Sequence, residues 1–451
     1  MENSAPASAS AHEIFAARNA AETPATSPGA MADHAAHAER VTGRGRIILV
    51  FALIVFIGVN LRSVIMAIPP VLPLIQHDLD LSYTATGLLT SLPLLLMGGF
   101  ALPAGLLAGR LGGRRIVALG LALLAGGAIL RSVWPAAVPL YLFTILLSLG
   151  ITLTQTTVPV LARQWFPTRI GLVAALFTDG LILGETLGAA FTLPLMQRFF
   201  GGDGWPGALL LWAVPAVLAL ALWLWLAPPA AATIPGRSGR AATRASAVAT
   251  TAAPSPGNAP ARRVSALQLG LLLGAGSLVY FAMNAWIPPY NEAIGAMSAT
   301  PLALGVLNAI QLPVGLALTF FAQQLAGRRW PFVIAGIVCV VAIVGWVAAP
   351  VAWQPLWAAL LGGSSSCVFV LGIGLPALLA DRASVARLTG ATLTLSYGVA
   401  FLGPLLGGSF WDILHQPQAA FAPVAIASLL LIALGAALPS RANFGLVDDA
   451  Q

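Results

Sequence analysis

Charge is what this sequence has least of. Only 8% of its 451 residues are Asp, Glu, Lys or Arg, against 58% hydrophobic, whereas a soluble protein covers its surface with about 25% charged residues. A soluble globular fold is thereby excluded and a polytopic membrane protein is expected. Lysine is absent altogether: all 22 basic residues are arginine, a bias that reads as base composition rather than function. The pI near 10.4 would fit nucleic acid only if the arginines gathered on one soluble face. They are spread among short loops, so no nucleic-acid partner is expected. Cysteine is nearly absent too, and Cys339 and Cys367 both fall inside apolar segments, which excludes a disulfide framework. All five histidines (His12, His34, His37, His77 and His415) lie in tails or outer loops. With no metal-ligand cluster and no Walker A stretch, an intramembrane enzyme is a remote alternative, and neither a metal nor another cofactor is expected.

Residues 1–45 lack an apolar h-region and a cleavage signature, and their acids (Glu2, Glu13, Glu22, Asp33, Glu39) argue against a transit peptide; a disordered cytoplasmic tail is expected. Twelve apolar spans follow, at roughly 47–69, 83–108, 116–134, 138–162, 170–197, 206–227, 266–289, 301–326, 331–350, 354–380, 388–412 and 419–438. The first span has 23 residues, roughly 35 Å of helix against a hydrocarbon core of about 30 Å. If it runs from inside to outside, 19 arginines fall on the cytoplasmic side and only Arg131 and Arg198 outside. Both termini are then cytoplasmic by the positive-inside rule, and a multi-pass protein of the inner membrane is expected.

Residues 228–265, with five arginines among Pro, Ala, Ser and Gly, cannot bury a core and read as a cytoplasmic linker. An internal repeat supports a division there. Ile68-Pro69-Pro70 recurs 219 positions on as Ile287-Pro288-Pro289, Gly171, Gly184 and Gly188 recur at the same offset as Gly390, Gly403 and Gly407, and Leu107-Ala108-Gly109-Arg110 recurs 218 positions on as Leu325-Ala326-Gly327-Arg328. The fold expected is all-α: twelve transmembrane helices in two pseudo-symmetric six-helix bundles, residues 46–227 and 266–439, with a second cytoplasmic tail at 440–451.

The segment from Gly105 through Arg110 and Gly112 to Arg114 and Arg115 resembles the loop motif of the major facilitator superfamily, with Gly109 where that motif carries an acid. More narrowly, several stretches are similar to the cyanate-permease and nitroimidazole-efflux branch of that superfamily. They are Asn60-Leu61-Arg62, Leu88 to Pro93 with Met97-Gly98-Gly99, Gly127 to Arg131, Gln155 with Pro159, and Ala285 to Pro288. The resemblance implies a secondary active transporter that works by alternating access on a small anion or polar organic solute, cyanate-like in class. Efflux of nitroimidazole-like or other small drugs is the alternative. A monomer in a lipid bilayer, binding a small-molecule substrate, is expected.

Three charged residues lie well inside spans: Arg62 in the first, Asp179 and Glu185 in the fifth. A guanidinium at that depth costs a few kcal/mol, so it must face protein, water or ligand. Arg62 sits roughly 23 Å from the cytoplasmic end of its helix, Glu185 roughly 22 Å and Asp179 roughly 14 Å, which makes Glu185 the better partner on depth. The acids either take up a proton that drives transport or pair structurally with Arg62; both readings stand at this point. Asn60, Gln155, Tyr280, Asn284, Trp286, Asn308, Gln311 and Tyr397 lie at comparable depth and can line a substrate site. Trp286 also fits an interfacial belt. Gly180, Gly184 and Gly188 suit close helix packing. Pro69-Pro70 and Pro288-Pro289 are expected to end the first and seventh helices as matched hinges.

Overall fold

The computed structural model describes residues 44–166, 168–201, 204–228, 265–325, 327–379 and 385–438. The expected tails at 1–45 and 440–451 and the linker at 228–265 therefore lie outside the described residues, apart from their edges. Contacts divide the chain into two units, Met1–Leu49 and Val50–Gln451. The first contributes the opening turn of a helix; the second contains the rest of the described structure.

Fourteen helices of seven residues or more are described: α1 Arg44–Met66, α2 Leu72–Asp78, α3 Tyr83–Leu111, α4 Gly113–Val133, α5 Ala137–Trp165, α6 Ile170–Phe199 and α7 Trp205–Leu226, then α8 Ala266–Ala293, α9 Thr300–Ala309, α10 Gln311–Leu325, α11 Trp330–Ala348, α12 Gln354–Leu379, α13 Val385–Leu414 and α14 Ala422–Ala436. They make 12 spans long and apolar enough to cross a membrane, because α1 with α2 and α9 with α10 each count once. No strand occurs among the described residues.

Prolines set the two breaks. After α1, Pro69 and Pro70 supply no N–H, and the Ile68 amide turns back to Ile65 instead of Val64, so α1 stops at Met66 and a short 3-10 turn leads into α2. Between α9 and α10, Pro313 lacks the N–H that would bond Ala309 and crowds its carbonyl, so the span expected to run unbroken over 301–326 is interrupted at Ile310. Pro288 and Pro289, by contrast, do not end a helix. Both lie inside α8, which runs on to Ala293, held on three sides by α12, α13 and α14. Proline's φ is itself helical, and packing outweighs the two lost bonds. Only the first of the two expected hinges is a break.

Two seams join the halves of the sequence. α3 packs against α13, and α6 against α9. The 219-residue offset carries α3 onto α9 and α10, and α6 onto α13, so each seam is the repeat's counterpart of the other. Along the first seam, Asp412 on α13 caps the start of α3: its carboxylate accepts from the Tyr83 amide at 3.0 Å, the Thr84 amide at 2.7 Å and the Thr84 hydroxyl at 2.6 Å. Tyr83 stacks on Trp411 with ring centroids 4.0 Å apart and planes 9° from parallel. Toward the arginine-bearing ends of the same two helices, the seam parts around a cavity.

Within the first half, glycines bring α1 and α6 to backbone contact. A Cβ at Gly180, Gly184 or Gly188 would press into the carbonyl oxygens of Val55, Val59 and Ser63 respectively. The fourfold spacing on one helix matches the fourfold spacing on the other, the small-residue packing that bilayers favour. This contact places Arg62, beside Ser63, opposite Glu185, beside Gly184.

Candidate functional site

Arg62 is 6% exposed, and so is Glu185. Their closest approach, Arg62 Nη1 to Glu185 Oε1, is 3.4 Å, longer than the 2.7–2.9 Å of a well-made charge-assisted bond. Neither Nε nor Nη1 of Arg62 makes a hydrogen bond. From α13, Tyr397 reaches the guanidinium.

The second half supplies a neutral wall around Glu185. The Tyr280 hydroxyl lies 2.8 Å from Glu185 Oε2 and also contacts Asn308 Oδ1. Asn308 donates through Nδ2 to the Leu304 carbonyl at 2.8 Å and to Asn284 Oδ1 at 2.9 Å, and Asn284 donates to the Tyr280 carbonyl at 3.0 Å. Gln311, just past the break at Ile310, approaches Glu185 Oε2 at 3.4 Å. Asn308 and Gln311, three residues apart and so on one side of the chain, meet Tyr280 and Glu185 respectively.

A cavity of about 700 Å³ leads toward this cluster. Met97, Leu102, Gln155, Phe369, Ile373 and Leu393 line it, with Thr152, Thr156 and Thr394 as hydroxyls and Arg387 at its exposed end. Tyr397 also lines it and interacts with Arg62, so this side chain links cavity and guanidinium. The oxygen Oε1 of Gln155 is buried without a hydrogen-bond partner.

The structure thus brings together Arg62, Glu185, Tyr280, Asn284, Asn308, Gln311 and Tyr397, with Gln155 in the cavity wall. Asn60 is buried on α1 two residues before Arg62, about 200° around the helix from it, donating to the Phe56 carbonyl one turn back at 2.7 Å, with its own oxygen unpartnered. Two residues stand elsewhere. Asp179 is exposed, because six residues turn it about 120° away from Glu185 around α6. Trp286 is a buried residue of the closed seam rather than a belt or lining residue: its indole donates to the Pro404 carbonyl at 3.1 Å and its ring packs near Tyr83 and Trp411.

In the loop motif, Gly112 has φ +87° and starts the turn from α3 to α4, a conformation that favours glycine. Arg114 donates to the Leu224 carbonyl in the last turn of α7 at 3.2 Å, where helix carbonyls lack partners. Arg110 and Arg115 are exposed, and nothing stands near Gly105.

Arg131, expected on the outer side at the end of the third span, is fully buried in the last turn of α4. It donates at 2.7 Å to Val64, the carbonyl left over when the Ile68 amide turns back to Ile65. Counting side chains by span ends could not reveal this, because the orphan carbonyl arises from the Pro69-Pro70 break on another helix. Cys367 is only half-buried, and both cysteines are free thiols.

Comparison with known proteins agrees with this architecture. The Major Facilitator Superfamily profile matches residues 47–404. The chain is 28% identical over 391 residues to the cyanate transport protein CynX of Escherichia coli strain K12, covering 85% of this chain and 95% of that one. It is 30% identical over 399 residues to the 2-nitroimidazole transporter of the same organism, covering 88% and 96%. The crystal structure of a D-xylose–proton symporter superposes with a TM-score of 0.67 at 14% identity, over 87% of this chain and 97% of that one, a likeness of fold. With twelve spans, a seam parted around a cavity and a family match over most of its length, the chain belongs to the Major Facilitator Superfamily and is a membrane transporter of small molecules, not an enzyme.

Proposed function

We propose that this protein is a secondary active transporter for a small anion of the cyanate class, or a comparably small polar solute, moved across the cytoplasmic membrane by alternating access of two six-helix bundles, 46–227 and 266–439, with both termini in the cytoplasm. One observation carries the reading: a buried guanidinium with unbonded Nε and Nη1, held loosely by Glu185, beside a residue that lines a cavity. Burying a charge costs several kcal/mol unless it is paired, and a planar fork of donors suits a small anion. The arginine-rich loops mark the cavity's side as cytoplasmic, so this conformation is inward-open, closed on the far side by the Asp412 cap and the Tyr83–Trp411 stack.

The test is cyanate uptake into proteoliposomes. Arg62→Ala and Arg62→Lys, folded by size-exclusion profile, are expected to lose at least tenfold in uptake; wild-type uptake in both would remove Arg62 from the site. A second reading, efflux of a flat nitro-heterocycle, is favoured by the apolar part of the cavity wall: Met97, Leu102, Phe369, Ile373 and Leu393. A thermal-shift comparison of cyanate with 2-nitroimidazole separates the two, since the bound ligand raises apparent stability.

A further inference from the structure

The hydrogens around Glu185 can be counted. Asn308 faces the Leu304 backbone carbonyl, which only accepts, so its Nδ2 must point there; its second amide hydrogen goes to Asn284 Oδ1. Asn284 is oriented in the same way by the Tyr280 carbonyl. Asn308 therefore presents Oδ1, an acceptor, to the Tyr280 hydroxyl. That hydroxyl has one hydrogen and two oxygen neighbours, Asn308 Oδ1 and Glu185 Oε2. If the hydrogen lies toward Asn308, the 2.8 Å approach of Glu185 Oε2 to Tyr280 Oη lacks a proton unless the carboxyl brings its own. The loose 3.4 Å contact of Glu185 Oε1 with Arg62 points the same way: it suits a neutral acid's carbonyl oxygen better than a carboxylate.

We propose that Glu185 is the coupling acid, that it holds its proton in this conformation by donating to Tyr280 while Tyr280 donates to Asn308, and that one proton crosses with each monovalent anion. Protonation releases Arg62 to take the anion. When the anion has left, the O–H bond of Glu185 breaks with its electron pair staying on the carboxylate, the proton passes to water in the open cavity, and the carboxylate swings back to Arg62. The charge within the site is the same in both forms: Arg62 with a bound anion and neutral Glu185, or Arg62 with the Glu185 carboxylate. Transport of a monoanion is then electroneutral in both directions. Among the described residues, the titratable groups facing Glu185 are Arg62 from α1 and Tyr280 from α8; the exposed Asp179 shares its helix but not its face. The inference rests on the reading of Arg62 as the anion site.

Calorimetric titration of the purified full-length protein with cyanate, in buffers of differing ionisation enthalpy between pH 6 and 9, counts protons taken up per anion. Wild type is expected to approach one at the alkaline end, with Kd rising roughly tenfold per pH unit there. Glu185→Gln, whose amide can still donate to Tyr280, is expected to take up none and to bind with a flat pH profile. Tyr280→Phe keeps the acid but removes its acceptor, and is expected to shift the profile toward lower pH. In proteoliposomes clamped at −100 mV, uptake should change by less than twofold, where movement of a net charge would bias accumulation by about 50-fold. Binding that needs Arg62 yet takes up no proton anywhere in the range overturns the coupling and leaves the anion site standing. An unchanged proton count in Glu185→Gln overturns the assignment to that residue. Cyanate binding that survives Arg62→Ala, or its absence in folded wild type, overturns the anion reading and this inference with it.

Discussion

The cap that Asp412 places on α3 offers the sharpest measurement of how the closed seam is held. Three hydrogen bonds cross from one carboxylate to the first turn of another helix. An N-cap is worth about 1 kcal/mol and a negative charge at a helix N-terminus about 0.3–1 kcal/mol more. Removing both by Asp412→Ala should cost the closed seam about 2 kcal/mol, a shift of roughly 30-fold in the ratio of closed to open populations. Asp412→Asn keeps one acceptor oxygen and loses the charge, so it should fall between. Spin labels placed near the start of α3 and the end of α13, away from the cap itself, would report the two populations as a short and a long distance. A long-distance fraction that grows from wild type through Asp412→Asn to Asp412→Ala is expected. Identical distance distributions in all three would refute the reasoning, and leave the aromatic stack as what closes this side.

Other outcomes follow from particular contacts. Gly184→Leu should lower the apparent Tm in detergent more than an Ala substitution at the exposed Gly171, since the new side chain meets the Val59 carbonyl and overpacking costs about 1–3 kcal/mol. Arg131→Met removes the partner of the Val64 carbonyl, at about 1–3 kcal/mol, but also removes a buried charge costing about as much. Its thermal stability should stay within a few degrees of wild type while cyanate uptake falls, with uptake partly restored by Arg131→Lys; a folded, fully active Met variant would dismiss Arg131 as a prop for the Arg62 helix. Asp179→Asn, exposed and remote from Arg62, should leave the proton count of binding at its wild-type value, measured by the same calorimetry.

Apolar runs bounded by charge made the spans legible, because a bilayer demands some 20 apolar residues per crossing. Arg62 announced itself by its depth, and depth also singled out Glu185 over Asp179; the face of α6 on which each lies then separates them. Properties that depend on a neighbour were out of reach. The interruption at Ile310 needed only Pro313, yet the contacts of Asn308 with Tyr280 and of Gln311 with Glu185 show only once these helices meet. Arg131 read as no more than an outer-side charge at the end of its span, because its partner is a carbonyl on α1. Pro288 and Pro289 looked like a terminus because local rules make proline a breaker, and three packed helices overrule them. Trp286 sat at belt depth in the sequence and proved to be a buried member of the seam.

The glycine contact between α1 and α6 has a mechanical consequence. Arg62 and Glu185 ride on two helices locked backbone to backbone, whereas Tyr280, Asn308 and Gln311 belong to the other half. If the halves rock as proposed, the two ionisable groups travel as passengers on one body, and what must be torn at each stroke is a set of hydrogen bonds to uncharged partners. The stroke never pulls opposite charges apart in a low-dielectric medium, which removes the largest electrostatic barrier that a buried ion pair could have placed in the path of the motion.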